Sequence, residues 1–345
     1  MRILCRVDAG PAVGLGHLQR CLSLAEALRR VGCESRILTC DHPQVRQRIA
    51  AAGFEMASLT ARTLGGIDDL EQTVVTAAQG GCEAVVVDSY AIGPESLRAL
   101  RDRGLFVAAI DDLARGPFPC HLVVNGGIHA ARLSYHASSG ETQFLLGPRY
   151  AMLRPAFQEV AARPIRPRAR QLLLLVGGSD PQRLLPELLR ELDTLPDDLV
   201  VSAVIGPCVE HVQAIEQAAR ACRHEVRLLH DPHAIWETMR DADLAVSAAG
   251  QTLYELAAVG CPTVAICVAD NQEAQWQAFA DAGVVRQAGR AGEPNLIRRV
   301  LEAVDSLLPN APVREAMSAA GRQLVDGRGA GRVAEAMAGQ LQAAR

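Results

Sequence analysis

The sequence is short of aromatic side chains, which fill 3% of its 345 positions, so any core must be closed by the abundant Ala, Leu and Val. An aliphatic interior suits a parallel sheet covered by helices. Paired cysteines are lacking too. The ten thiols, at 5, 21, 33, 40, 82, 120, 208, 222, 261 and 267, form no C-x-x-C, and Cys5, Cys21 and Cys267 fall within apolar strand or helix patterns, as reduced core cysteines do. That spacing argues against a disulfide framework and a zinc site. No apolar run reaches the length of a membrane span, and a strand pattern stands where a signal peptide would show charge and then an apolar stretch. The expectation is a cytoplasmic protein with no membrane insertion. Nor is one charge in excess: 35 basic against 39 acidic residues leave a net −4, interleaved along the chain, with no broad field to draw polynucleotides. A G-x-S-x-G elbow, an H-E-x-x-H pair and a Walker lysine are missing as well. His230 and His233 lack companions to complete a ligand set, and Asp231-Pro232 between them reads as a helix start with Asp as cap. No nucleic acid, metal or cofactor is expected.

What is present is an alternation of short apolar runs and helical patterns, and the length favours two domains, each able to bury a core. Strands are expected at 2–8, 36–39, 84–88, 105–110 and 122–125, with helices at 18–30, 43–52, 68–79 and 94–103. The pattern breaks at Arg163-Pro-Ile-Arg-Pro-Arg-Ala-Arg170, which is basic, proline-rich and without apolar period. The boundary is placed there, giving domains 1–162 and 163–345. A second series follows, with strands near 171–176, 199–205, 225–229, 243–247 and 263–268 and helices at 182–193, 209–222, 233–240, 251–259 and 271–282. Helices near 293–307, 311–323 and 330–343 close the chain. The predicted class is α/β, with two doubly wound, Rossmann-like domains facing each other across a cleft.

The segment Arg2–Arg30 is the most informative. A strand ending at Asp8, a loop with Gly14 and Gly16, and a helix opening at His17 make an anion site, because first-turn N–H groups and the helix dipole favour a phosphate. The same dipole disfavours an imidazolium, so His17 suits proton acceptance; the plainer alternative is a glycine turn with a capping histidine. Gly177-Gly178-Ser179-Asp180 repeats the strand-and-glycine theme, either offering N–H groups to a diphosphate or serving as an ordinary capped turn. The small residues Ser247-Ala-Ala-Gly250 leave room near the backbone ahead of a helix carrying Thr252 and Glu255, whose carboxylate suits a ribose diol or simply solvent. Asn271-Gln272 follows the next strand, as a cap or as an amide reaching a ligand. In the first half, Asp88-Ser-Tyr90 and Asp111-Asp112 end strands. The two adjacent aspartates point opposite ways and read mainly as loop and cap groups.

In this order, Arg6-x-Asp8, Val13-Gly-x-Gly-His17-x-x-Arg20-Cys21-Leu22, Val87-Asp88-x-Tyr90, Ile110-Asp-Asp112-Leu-Ala, Leu146-Gly-Pro-x-Tyr150-Ala-x-Leu-Arg154-Pro-x-Phe157, Gly177-Gly-x-Asp180, Ser247-Ala-x-Gly250-x-Thr252-x-Tyr-Glu255 and Asn271-Gln272 run nearly the whole chain. Together they resemble the UDP-2,4-diacetamido-2,4,6-trideoxy-β-L-altropyranose hydrolases of pseudaminic acid biosynthesis. The resemblance implies a GT-B fold related to MurG-type glycosyltransferases, and metal-independent, inverting hydrolysis of a UDP-sugar to UDP and free sugar. It implies catalytic roles for His17 and Tyr90, with Asp8 orienting the imidazole. Contacts to the UDP-sugar are implied at Gly14, Gly16 and Arg20, and at Gly177, Gly178, Asp180, Ser247, Gly250, Thr252, Glu255, Asn271 and Gln272. The chain departs from the pattern at His121 and at Asn125-Gly-Gly127. The rival readings are a MurG-like transferase that passes the sugar to another acceptor, and a nucleotide-sugar binding module without catalysis. None of them sets an oligomeric state; a monomer is compatible with all three.

Overall fold

The computed structural model describes residues 1–10, 13–138, 142–196 and 199–343. The chain divides into two compact units, Met1–Pro155 with Gly327–Arg345, and Ala156–Asp326.

The first unit runs β1 (Arg2–Val7), α1 (Gly16–Arg30), β2 (Glu34–Cys40), α2 (Pro43–Ala51), β3 (Glu55–Leu59), α3 (Ile67–Gln79), β4 (Ala84–Asp88) and α4 (Pro94–Asp102). It continues through β5 (Phe106–Ile110), short β6 (Pro117–Phe118), β7 (Leu122–Asn125), short β8 (His136–Ala137) and β9 (Gln143–Leu146). Seven strands form a parallel sheet in the order β3-β2-β1-β4-β5-β7-β9. Central strands such as Ala84-Val-Val-Val-Asp88 are buried along their whole length, which is why they read as unbroken apolar runs.

In the second unit the order along the chain is β10 (Gln171–Leu175), α5 (Leu184–Glu191), β11 (Val200–Ile205), α6 (Val212–Ala221), β12 (Glu225–His230), α7 (Ile235–Asp241) and β13 (Leu244–Ala248). Then come α8 (Thr252–Val259), β14 (Thr263–Cys267), α9 (Glu273–Asp281), β15 (Val285–Arg290), α10 (Leu296–Leu307) and α11 (Ala311–Leu324). Six strands make a parallel sheet, β12-β11-β10-β13-β14-β15.

In each sheet the chain starts in the middle, builds to one edge, then returns to build the other. The reversal falls between β1 and β4 in the first unit and between β10 and β13 in the second. Carboxyl ends of strands at such a switch point splay into a crevice, the usual ligand position in open α/β sheets. Val7 pairs in register with Asp88, and Leu175 with Ser247, so these residues mark the two crevices.

Two expectations are corrected. The domain drawn as 163–345 does not keep its final helix, α12 (Gly329–Ala343), which packs on α1 in the first unit. Ala330, Val333, Ala334, Met337, Ala338 and Leu341 are buried in one cluster with Leu18, Cys21, Leu22, Ala25 and Leu28. Each large apolar side chain so buried contributes about 1.5–3 kcal/mol, and the first unit claims that stripe. Asp231-Pro232 does not cap a helix either. Asp231 adopts a left-handed backbone (φ 38) and α7 begins only at Ile235. Strands β3, β9 and β15, outside the expected set, lie at sheet edges, where one-sided burial leaves no apolar run to read.

Candidate active site

At the first switch point the end of β4 faces the start of α1, and three charged side chains close around an imidazole. His17 and Arg20 stand one helical turn apart on the same face of α1. His17 Nδ1 lies 2.6 Å from Asp88 Oδ1. The Arg20 guanidinium grips the same carboxylate in a fork, Nε to Oδ2 and Nη2 to Oδ1, both at 2.6 Å. Cys21 Sγ donates to Oδ2 at 3.5 Å. Asp88 itself is fully buried. Burial opposes its ionisation, but the Arg20 charge and hydrogen bonds, with His17 beside them, outweigh that and hold its carboxyl down at about 2. An ionised carboxylate only accepts, so the nitrogen facing it, His17 Nδ1, carries a proton, and in the neutral ring Nε2 is the acceptor. Burial, reinforced by Asp88, pushes the Cys21 thiol well up, so Cys21 is a donor and not a nucleophile.

Arg20 extends the frame outward. Its Nη1 donates to Asp112 Oδ2 at 2.7 Å, and the Tyr90 hydroxyl donates to the same oxygen at 2.9 Å. Ser89 Oγ accepts the Ala91 N–H at 3.1 Å, closing the turn that presents Tyr90. The rings of Tyr90 and His17 meet edge to face, centroids 4.7 Å apart. Gly14, at φ 84, exchanges backbone hydrogen bonds with Gly10, a turn that a side chain would strain. Apart from the chain neighbours and the backbone of α1 itself, no described atom lies within 4 Å of where a side chain would begin at Gly14 or Gly16.

Sequence reasoning brought His17 and Tyr90 to one place, and the structure joins them. It does not join Asp8 to the imidazole. Asp8 Oδ1 is taken by Arg6 Nη1 at 2.7 Å, and the fully buried Arg6 is held in turn by Asp69 at 2.7 and 2.5 Å. Asp88, not Asp8, orients the histidine. Arg20, expected to touch ligand, directs its Nε, Nη1 and Nη2 at two aspartates. Asp111 fulfils the loop reading, its Oδ1 accepting from Leu113 N at 3.0 Å and Ala114 N at 2.6 Å, whereas Asp112 does not. The available signal for Asp88 and Asp112 was their position at strand ends.

At the second switch point, Gly177 (φ 100) and Gly178 follow β10, and apart from their chain neighbours no described atom lies within 4 Å of a side-chain position at either. Gly250 and Thr252 stand at the head of α8, with Glu255 one turn on and half-buried. Gln272, after β14, accepts Val268 N–H at 3.1 Å through Oε1, and its amide nitrogen lies 3.6 Å from where a Gly250 side chain would begin. Asn271 beside it is exposed, in a turn whose flanking Asp270 and Glu273 are both paired with Arg290. Thus Gly177, Gly178, Gly250, Thr252, Glu255, Asn271 and Gln272 gather at the carboxyl ends of the neighbouring strands β10, β13 and β14. Ser247 is fully buried, so the approachable backbone of its loop begins at Gly250. Asp180 is also buried and spent: its carboxylate accepts from Leu184 N at 2.8 Å, Leu185 N at 3.1 Å and His211 Nε2 at 3.1 Å. With Pro186 next, the first turn of α5 has no N–H left for a diphosphate, so Asp180 is a helix cap.

Both departures from the pattern prove structural. His121 stacks on Phe106 at 4.7 Å and accepts Val107 N–H through Nδ1. Asn125 is fully buried, donating to the Tyr135 hydroxyl at 2.8 Å and accepting Gly127 N–H at 2.7 Å. Among the described residues no group of three or more His, Cys, Asp or Glu is arranged to hold a metal ion, and no helix is long and apolar enough to cross a membrane.

Two parallel α/β units with ligand crevices at their switch points define a GT-B class of fold, and the solved structures agree. MurG of Acinetobacter baumannii superposes with a TM-score of 0.67 at 17% identity, covering 97% of this chain and 99% of that one. A co-structure of S. aureus MnaA with UDP gives 0.67 at 13% identity, with coverage of 99% and 97%. No family model matches the sequence. Among curated proteins, the chain is 31% identical over 61% of its length to the spore coat polysaccharide biosynthesis protein SpsG of Bacillus subtilis, spanning 62% of that protein. It is 25% identical over 83% of its length to a Helicobacter pylori protein named as pseudaminic acid cytidylyltransferase and UDP-2,4-diacetamido-2,4,6-trideoxy-β-L-altropyranose hydrolase, spanning 48% of it. To the Campylobacter jejuni hydrolase of the latter name it is 21% identical, over 81% of this chain and 96% of that one. The resemblance read from the motifs is therefore found in two proteins that carry the hydrolase name.

Proposed function

We propose that the protein hydrolyses a UDP-linked 2,4-diacetamido-2,4,6-trideoxyhexose at its anomeric carbon, with inversion and without a metal, releasing UDP and a free sugar for pseudaminic acid biosynthesis. The observation that carries this reading is the His17–Asp88 pair at the first switch point, its Nε2 left as an acceptor. In the reaction, His17 Nε2 takes a proton from water as the water oxygen bonds to the anomeric carbon. The bond to UDP breaks with its electron pair on the diphosphate. Asp88 stabilises the imidazolium that forms, as carboxylate partners of general bases do. UDP is a stabilised leaving group, so no strong acid is needed on its side. The second unit serves the nucleotide: Leu253 and Tyr254 N–H already donate to Gly250 O and Gln251 O, so the dipole of α8 with the backbone N–H and hydroxyl of Thr252 suits the diphosphate, and Glu255 suits the ribose diol.

The test is to incubate the purified protein with a panel of UDP-diacetamido-trideoxyhexoses in EDTA, without acceptor, and to follow released UDP and the anomeric configuration of the new sugar by NMR. Early release of the inverted anomer is expected. Release only with a non-water acceptor supports a transferase, and binding without release supports a module without catalysis.

A further inference from the structure

We propose that Asp112 is a positioning residue that makes the Tyr90 oxygen an obligate hydrogen-bond acceptor, so that Tyr90 and His17 together bind both hydrogens of the attacking water. The proposal rests on the hydrolase reading and adds to it the means by which the water is aimed. A phenol has one O–H and two lone pairs. The single Tyr90 proton is given to Asp112 Oδ2 at 2.9 Å, so toward a ligand or water this oxygen has only lone pairs to offer. The imidazole is constrained in parallel, its Nδ1 turned to Asp88 at 2.6 Å and its Nε2 left to accept. A water has two hydrogens. One given to Nε2 and one to the Tyr90 oxygen leave its own lone pairs for the anomeric carbon and stop it from turning. With a free proton, Tyr90 would donate to that water, drawing electron density from its oxygen and leaving its second hydrogen without an acceptor.

The frame that fixes both acceptors is continuous: Tyr90 to Asp112, Asp112 to Arg20 at 2.7 Å, Arg20 to Asp88 at 2.6 Å and Asp88 to His17. Asp111 is committed to its own loop: its Oδ1 accepts from Leu113 and Ala114 N–H, and the Tyr135 hydroxyl lies within hydrogen-bond distance of both that oxygen and the Asp111 backbone oxygen. The groups facing Tyr90 are therefore Asp112, Arg20, Asp88 and His17. Burial first, and then the Asp112 charge, push the Tyr90 phenol up, keeping it protonated and donating at neutral pH.

The experiment combines Asp112→Ala, Asp112→Asn, Tyr90→Phe and the Asp112→Ala/Tyr90→Phe double variant. Asp112→Ala is expected to lower kcat by up to about 100-fold, the scale of a misaimed reactant, with KM within about 3-fold. Tyr90→Phe is expected to cost little more once Asp112 is gone, since the two act as one unit. Asp112→Asn keeps a carbonyl to accept the phenolic proton, and so retains more activity than Asp112→Ala. A second readout needs no turnover: the tyrosinate absorbance of Tyr90, taken as each protein minus its Tyr90→Phe counterpart, moves to lower pH in Asp112→Ala. An unmoved titration, or costs that simply multiply in the double variant, overturns the proposal while leaving the hydrolase reading intact. A wild-type protein that releases no UDP removes that reading, and the aimed water with it, whichever way the titration falls.

Discussion

Each unit contains a buried aspartate–histidine pair, and the two pairs do opposite things. Asp88 holds His17 at 2.6 Å and Asp180 holds His211 at 3.1 Å, with histidine side chains 11% and 9% exposed, so burial does not distinguish them. What differs is the aspartate's other commitment. Asp88 also carries Arg20, a charge that keeps it ionised and connects it to Asp112 and Tyr90, whereas Asp180 also carries two backbone N–H groups at the start of α5. The first pair is wired to reactive side chains; the second is wired to the main chain. An Asp–His contact alone therefore says nothing about catalysis. The first crevice is walled with interlocked charges suited to moving a proton, the second with glycines and small residues suited to admitting a nucleotide.

The comparison breaks most directly at the histidines. His17→Ala is expected to lower turnover by about 10²–10⁴, the usual loss of a general base, with UDP affinity unchanged by calorimetry. His211→Ala is expected to change turnover by less than about 2-fold, being a surrogate for lost capping support. Equal losses from both would dissolve the distinction. Asp88→Asn comes next, because it removes the charge that Arg20 faces in a buried site. The folded carboxyl sits at about 2 against 3.8 unperturbed, so ionised Asp88 adds about 2 kcal/mol. Since the folded value is the lower one, this stabilisation is complete above about pH 4 and disappears as pH falls through about 2. Urea unfolding across that window is expected to show a steep acid loss in the wild type and a shallower one in Asp88→Asn.

Much of this contrast was legible in the residues, and the gaps have physical causes. His17 and Tyr90 are 73 positions apart in the numbering, yet both stood out because each follows a strand that must end at the same crevice. Asp88 and Asp112 were visible only as acids at strand ends. Their partner Arg20 lies on a helix drawn by periodicity, and nothing in periodicity pairs an arginine with aspartates from two other strands. Asp180 was legible both as a ligand contact and as the cap of an ordinary turn, and its left-handed backbone (φ 43) with the carboxylate on Leu184 and Leu185 N–H bears out the second. Edge strands β3, β9 and β15 escaped notice for want of a two-sided apolar run, and the owner of α12 was undecidable because an apolar stripe does not name its neighbour.

In the second crevice, affinity and stability are expected to separate, with smaller effects than in the first. Glu255→Ala should weaken UDP binding by about 10-fold, equivalent to about 1.4 kcal/mol, while turnover at saturating substrate stays within about 2-fold, since the carboxylate is assigned to the ribose and contributes equally before and during reaction. Asp180→Ala should do the reverse. It strips the cap from α5, leaving Leu184 and Leu185 N–H without their acceptor, for a cost of about 1 kcal/mol and a fall of about 2–4 °C in melting temperature. Because α5 then exposes the very N–H groups that Asp180 had occupied, UDP affinity is expected to hold or rise slightly. A clear loss of UDP affinity, with the melting temperature unmoved, would instead return Asp180 to the ligand side of the crevice and make the two aspartate–histidine pairs alike.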